Sequence, residues 1–299
     1  MSVLSSSTSM RFVPDLDIYK KQKPYELWFT PEKGIPRTNV QWQEVTGITV
    51  HDMRGADVGF ESTGFIWTRH TSKYLPDPLL NSVADESRKS RSELVKSYLE
   101  ETAELVKAQL GADCVFVEDW RHRINTGKYA VDDGVFNNTS QDRNKTLMPA
   151  LNAHLDDSAV GAQRRLHRLL SDEEIAKYNL QEYRIRMVNV WRPLVAVVED
   201  SPLALCDIRT VQEEDLLPVD KVHSTHVNEA CYIRHNAGQK WYSLADQTPQ
   251  EPYIFLAWDS KKSGYCPGPP HVSFDNPTAS EGATPRESIE VRVVAINRL

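Results

Sequence analysis

The second half of the chain is broken into short apolar or alternating runs, at 186–191, 194–198, 230–234, 240–244, 253–258, 271–274 and 288–296, with Pro, Gly and Asp turns between them. Runs of this length fit strands better than helices, and alternation puts every second side chain on one face. Many short strands in one stretch predict a β-sandwich or barrel.

The first half reads differently. Residues 1–45 carry Pro14, Pro24, Pro31 and Pro36 and read as an irregular arm. Residues 46–112 read as a support containing one long helix over 86–110. There Leu94, Tyr98, Leu99, Thr102, Leu105, Val106 and Leu110 recur at helical spacing, and Gly111 ends the run. The β-rich core is expected over 113–299, interrupted by a second helix near 157–178, with 1–299 forming a single domain. A polar stretch at 124–146 is long enough to act as a lid.

Composition narrows the function. The chain has 299 residues, 40% hydrophobic and 26% charged, enough apolar material for a full core. A formal charge of -7 argues against a nucleic-acid partner or an anionic membrane surface. The four cysteines contain no CxxC pair, which removes the common zinc and redox motifs. No apolar run approaches the roughly 20 residues of a membrane helix, and the first residues lack a signal-peptide core. A cytoplasmic protein acting on a small-molecule substrate is expected, and a homodimer is compatible with the sequence.

Chemistry concentrates at three places. His154 and Asp156 lie two apart, so on a strand both reach one point. His271 opens another short run after Pro269 and Pro270. Two imidazoles and one carboxylate form a facial triad that leaves adjacent positions open, as a chelating 2-oxo acid and O2 require of Fe(II). Arg286 and Ser288 then begin the last strand. The far carboxylate of 2-oxoglutarate calls for a planar, bidentate cation, which arginine supplies, and Ser288 adds a donor on the same face. Arg292 shares that parity and is the second choice for the clamp.

Each residue also has an ordinary structural role open to it. Taken singly, the ordinary role is the commoner one: His154 as a core histidine, Asp156 as a helix cap, His271 as a turn residue and Arg286 as a surface charge. What favours the site is the order: His-x-Asp, a distal His, then Arg-x-Ser on a late strand.

These motifs resemble those of the CmcJ-like and gibberellin-desaturase-like (AsaB-type) oxygenases of secondary metabolism, over most of the chain from about Val50 onward. The resemblance rests on Val115-Phe116-Val117 with Arg121 and Arg123, on Ala153-His154-Leu155-Asp156, and on Asn189-Val190-Trp191-Arg192-Pro193-Leu194. It continues through 200–207, Trp241-Tyr242, Trp258-Asp259-Ser260, His271-Val272-Ser273-Phe274 and 285–292. It implies an α+β, mainly β fold: a double-stranded β-helix (jelly-roll, cupin-like) core with flanking helices. It also implies Fe(II) held by His154, Asp156 and His271, with 2-oxoglutarate and O2 as co-substrates of a hydroxylase, desaturase or cyclase.

Other residues carry weaker expectations. Asn189 is read as facing the pocket and bonding bound 2-oxoglutarate or substrate. Arg121 and Arg123 are candidates for a substrate carboxylate, and Trp191 and Trp241 for pocket walls. His223, His226 and Glu229 form a rival cluster that reads as a loop or edge. Two other functions remain at this level: a cupin-like isomerase or lyase using the ion as a Lewis acid, and a non-catalytic small-molecule carrier.

Overall fold

The structure is a computed structural model that describes residues 3–75, 87–127, 146–262 and 264–299. Most of the expected lid, residues 128–145, lies outside the described residues. The described residues form fourteen strands and four α-helices. In chain order they are β1 (Val3–Phe12), α1 (Asp17–Lys21), β2 (Tyr25–Leu27), β3 (Gln43–Asp52), β4 (Phe65–Trp67), α2 (Ser87–Leu110), β5 (Cys114–Ile124), β6 (His154–Leu155), α3 (Ala159–Leu169) and α4 (Asp172–Lys177). Then come β7 (Tyr183–Pro193), β8 (Leu203–Cys206), β9 (Leu216–Val222), β10 (Val227–Ile233), β11 (Trp241–Ser243), β12 (Tyr253–Asp259), β13 (His271–Ser273) and β14 (Glu287–Arg298).

The strands make two sheets. The larger runs β1-β3-β11-β8-β13-β6-β10-β9-β2, and the smaller β4-β12-β7-β14-β5. Successive strands cross repeatedly from one sheet to the other, which leaves β6-β13-β8-β11 facing β5-β14-β7-β12. That interleaving is the jelly-roll. Register shows which side chains point inward. His271 lies opposite both Leu205 and His154, and Leu205 lies opposite Tyr242, so these four form one row across the larger sheet. On the smaller sheet, Arg292 lies between Asn189 and Asp119, Glu290 between Trp191 and Arg121, and Ser288 between Pro193 and Arg123.

Apolar clusters close the sandwich around that interior. Leu205, Tyr242, Trp191, Tyr253 and Phe255 pack between the sheets. At the other end Ala162, Leu166 and Leu170, on and just past α3, cover Met187, Val294 and Ile296 on the inner face of the smaller sheet. The outer face of that sheet receives Tyr98, Leu105 and Val106 of α2. Gly161 lets α3 sit down on β10: a Cβ there would lie 1.9 Å from the Glu229 carbonyl oxygen.

Several expectations are revised. The N-terminal arm is not irregular, since Val3–Phe12 pairs antiparallel with β3 and delivers buried Met10 and Phe12 to the core. Its Ser-rich run disguises a strand, since Ser5, Ser6 and Ser7 lack the β-branched and aromatic side chains that mark one in a sequence. The helix expected near 157–178 is two helices, broken where Ser171 makes a capping box with Glu174. Residues 194–198 turn rather than extend. Val227–Ile233, partly read as loop, belongs to a strand paired with β9.

Candidate metal centre

His154, Asp156 and His271 converge. One ligand atom from each lies within 4.8 Å of the others, and this is the cluster of three metal-ligating side chains found among the described residues. The short strands β6 and β13 lie side by side, putting the two imidazole centroids 4.3 Å apart. Each ring is oriented from behind. His154 Nδ1 sits 2.8 Å from the Asn152 carbonyl oxygen and His271 Nδ1 3.2 Å from that of Pro269. With the proton on Nδ1 donated to a carbonyl, each Nε2 presents a lone pair, as metal ligation requires. Burial, reinforced by the neighbouring His271, pushes the His154 pKa well down, so the ring is neutral and able to ligate.

Asp156 sits just beyond β6 and is held by the opposite sheet. Arg292 Nη2 donates to Oδ1 at 2.9 Å and Asn189 Nδ2 to Oδ2 at 2.6 Å. Burial works to raise its pKa, but the Arg292 guanidinium opposes this and the carboxyl is held well below the usual range. Ser158, not Asp156, caps α3 by accepting from the Gly161 N–H. The donor set of two imidazoles and one carboxylate fits a ferrous ion.

Arg286 is 1% exposed. Its Nη1 donates to the Ser201 carbonyl at 2.9 Å and to the Ser273 hydroxyl at 2.6 Å, and its guanidinium lies 5.6 Å from the centre of the Trp191 ring. Ser273 is two residues along β13 from His271, so this contact places Arg286 on the metal's side of the sandwich. Ser288 is fully buried, and its Oγ has no hydrogen-bond partner among the described residues. An orphaned buried hydroxyl beside an arginine suits a carboxylate ligand.

The remaining expectations divide. Arg292 is not a free clamp, because it already binds Asp156 and, at 2.8 Å, Glu290. Asn189 likewise turns its amide nitrogen to Asp156 rather than into open space. The cause is register: Arg292 and Asn189 are direct neighbours in the row beneath Asp156. Trp191 is buried, stacked on Tyr253 at 5.6 Å and next to Arg286, on the metal's side of the sandwich. Trp241 is not on that side. It packs with Phe12, Val50, Cys206 and Val272 on the face opposite His271, and its neighbour Tyr242 is the inward residue. Arg121 pairs with Asp119 at 2.9 Å, and Arg123 donates to the Met148 carbonyl at 2.8 Å. The rival cluster dissolves: Glu229 turns to Lys23 and Ser158, while His223 and His226 stack on each other.

Sequence reasoning missed Ser273, Ser201, Asp200 and Glu290. Ser273 carried a signal, since it follows His271 at i+2. Ser201 did not. It takes a left-handed φ of 44°, uncommon for a serine, and the turn it makes delivers its carbonyl to Arg286 while Asp200 accepts from the Arg286 N–H.

A mononuclear centre of two histidines and one carboxylate inside a jelly-roll defines the class of Fe(II)/2-oxoglutarate-dependent oxygenases. The chain belongs to the family described as the oxidoreductase/YMDC permease-like domain, which matches residues 10–296. It is 29% identical over 275 residues to the Fe(II)/2-oxoglutarate-dependent dioxygenase nvfI of Aspergillus novofumigatus, covering 89% of each chain. It is 29% identical over 262 residues to the hydroxylase/desaturase CTB9 of Cercospora beticola, covering 83% of this chain and 76% of that one. The solved structure of the iron and alpha-ketoglutarate-dependent endoperoxidase NvfI superimposes with a TM-score of 0.77 at 26% identity, covering 98% of both chains. The names of nvfI and of its solved structure specify iron and 2-oxoglutarate, that of CTB9 hydroxylation or desaturation, and the jelly-roll expected from the resemblance is the fold observed. No helix among the described residues is long and apolar enough to cross a membrane.

Proposed function

We propose that this chain oxidises an unactivated C–H bond of a small secondary metabolite, using Fe(II), 2-oxoglutarate and O2. The convergence of His154, Asp156 and His271, with both imidazoles turned by carbonyls and the carboxylate held anionic, carries the reading. These three side chains would hold the iron. When bound, the iron supplies O2 activation coupled to decarboxylation of the 2-oxo acid.

The protein's own contribution is orientation. Arg286, steadied by Ser201 and Ser273, and the buried Ser288 hydroxyl receive the far carboxylate of 2-oxoglutarate. Trp191 and Phe255 form an apolar wall beside them, the latter ring 5.0 Å from His271, and keep water from the reacting face. Arg292 and Asn189 fix Asp156 for ligation and leave it no freedom to act as a base. Hydroxylation, desaturation and oxidative cyclisation all begin with the same hydrogen abstraction, and substrate placement selects among them.

The test is anaerobic absorption spectroscopy. Fe(II) and 2-oxoglutarate together should give the visible charge-transfer band of a chelated 2-oxo acid, and His271→Ala should abolish it. A protein that shows no band, or a variant that keeps it, is not this enzyme.

A further inference from the structure

β5 and residues 290–292 of β14 place three guanidiniums on the inner wall of the smaller sheet, on the same face as the orphaned Ser288 hydroxyl. Two of the three are matched by carboxylates. Arg121 pairs with Asp119 at 2.9 Å, and Arg292 pairs with Asp156 at 2.9 Å and Glu290 at 2.8 Å. Arg123 differs. Its guanidinium makes one hydrogen bond, from Nη1 to the Met148 carbonyl, and no ion pair among the described residues. It lies directly opposite Ser288 in register, within the field of Glu290, Arg292 and Asp156. Burial is the largest influence on it and disfavours its charge. An arginine has five N–H donors in a rigid fork, and Arg123, half-buried with a single neutral acceptor, keeps donors accessible to a further partner.

Resting on the oxygenase reading above, the geometry points to Arg123 as the anchor for a carboxylate on the organic substrate, which makes the substrate an organic acid. The two arginines of β5 are not equivalent. Arg121 is neutralised by its own strand, while Arg123 keeps donors for a second, bidentate partner. Arg286 serves the co-substrate from the other side of Ser288, so the wall offers two anion positions around one hydroxyl. Met148 lies on the segment that leads into His154 and Asp156, so a carboxylate on Arg123 is bound beside the metal strand.

The discriminating experiment uses the full chain loaded anaerobically with Fe(II) and 2-oxoglutarate, and a matched pair of fluorescent probes: 2-naphthylacetic acid and its methyl ester. Fluorescence anisotropy should show the acid binding about tenfold or more tighter than the ester, the range expected of charge-assisted hydrogen bonds. Arg123→Gln should erase that preference while leaving ester binding and the 2-oxoglutarate band in place, and Arg121→Gln should keep the preference. Should Arg123→Gln not fold, Arg123→Lys takes its place; it retains charge without the fork and should reduce the preference while leaving ester binding unchanged. An unmodified protein with no preference for the acid overturns the assignment, as does an Arg123→Gln variant that keeps it. Loss of the 2-oxoglutarate band in Arg123→Gln, with iron still bound, also overturns it by moving Arg123 to the co-substrate. Absence of the band in the unmodified protein instead sinks the oxygenase reading.

Discussion

The larger sheet carries the two histidines on its shortest strands, whereas the smaller sheet supports the site from its longest. β6 has two residues and β13 three, while β7 has eleven and β14 twelve. Strands so short have little ladder of their own, so their side chains are aimed by neighbouring carbonyls, those of Asn152 and Pro269. A long strand in unbroken register acts as a ruler. β14 sets Ser288, Glu290 and Arg292 at fixed intervals along one face, each opposite a known residue of β7 and β5, and Arg286 immediately precedes it, its carbonyl accepting from the Asn125 N–H at 2.8 Å. The division separates two tasks. One sheet presents donors that a metal can draw together, and the other presents charges whose spacing must not change.

That division predicts which lesions remove the metal and which remove the anion. Beyond the loss expected of His271→Ala, the largest effect on the smaller sheet belongs to Arg286. Arg286→Lys keeps a positive charge but loses the planar fork, and its ammonium cannot reach Ser201, Ser273 and a carboxylate together. The 2-oxoglutarate concentration that half-forms the charge-transfer band should rise by roughly a hundredfold. Iron content measured without co-substrate should stay at the unmodified level. If iron is lost with the co-substrate, the two sheets are not separable in this way.

Arg292 breaks the pattern in an instructive way, because it sits on the ruler yet serves the metal. Arg292→Gln removes the charge that opposes the burial of Asp156, and Asn189→Ala removes the other hydrogen bond to the same carboxylate. Outer partners of this type are worth about ten- to a hundredfold in metal affinity. Each change should therefore weaken Fe(II) binding about tenfold, read by competition with a chelator, while 2-oxoglutarate affinity at saturating iron changes little. Arg292→Gln also strands Glu290, so its melting temperature should fall further than that of Asn189→Ala. The opposite ranking would show that Arg292 acts mainly through the metal rather than by neutralising two buried acids.

The three converging residues were legible in the sequence because their signals are local: an i, i+2 pair needs only strand parity, and His271 opens a short strand-like run after Pro269 and Pro270. Roles on the smaller sheet were less so. Arg286 and Arg292 share a face, and nothing in their spacing tells which meets an anion from solution and which meets Asp156. That follows from cross-sheet approach, a property of the closed sandwich. The misplacement of Trp241 has a similar origin. Either of two adjacent aromatics can face inward, and the pairing of Tyr242 with Leu205, and of Leu205 with His271, is what settles it. Val3–Phe12 escaped notice because its serine run lacks the β-branched and aromatic residues by which a strand is recognised in a sequence.

The smallest effect expected concerns the outer part of the larger sheet, where β10 is tied to α3 and to the segment before β2 by one carboxylate. Glu229 accepts from Lys23 and from Ser158, the residue that caps α3. Burial pushes its pKa up, but hydrogen bonds from Lys23 and Ser158 outweigh this, and the net value lies below the ordinary 4.5. A carboxyl whose pKa is depressed by folding stabilises the fold fully above its unfolded pKa and loses that contribution as pH falls through the folded value. Acidification below about 4.5 should therefore release the first turn of α3 before β14 loosens. Amide hydrogen exchange should show it as faster exchange at Gly161 and Ala162, whose N–H groups bond to Ser158, with β14 still protected. Glu229→Gln cannot titrate, so its α3 amides should exchange faster at neutral pH and show no further change between pH 6 and about 4. If α3 and β14 open together in the unmodified protein, the two sheets form one cooperative unit and the contrast between them is confined to chemistry.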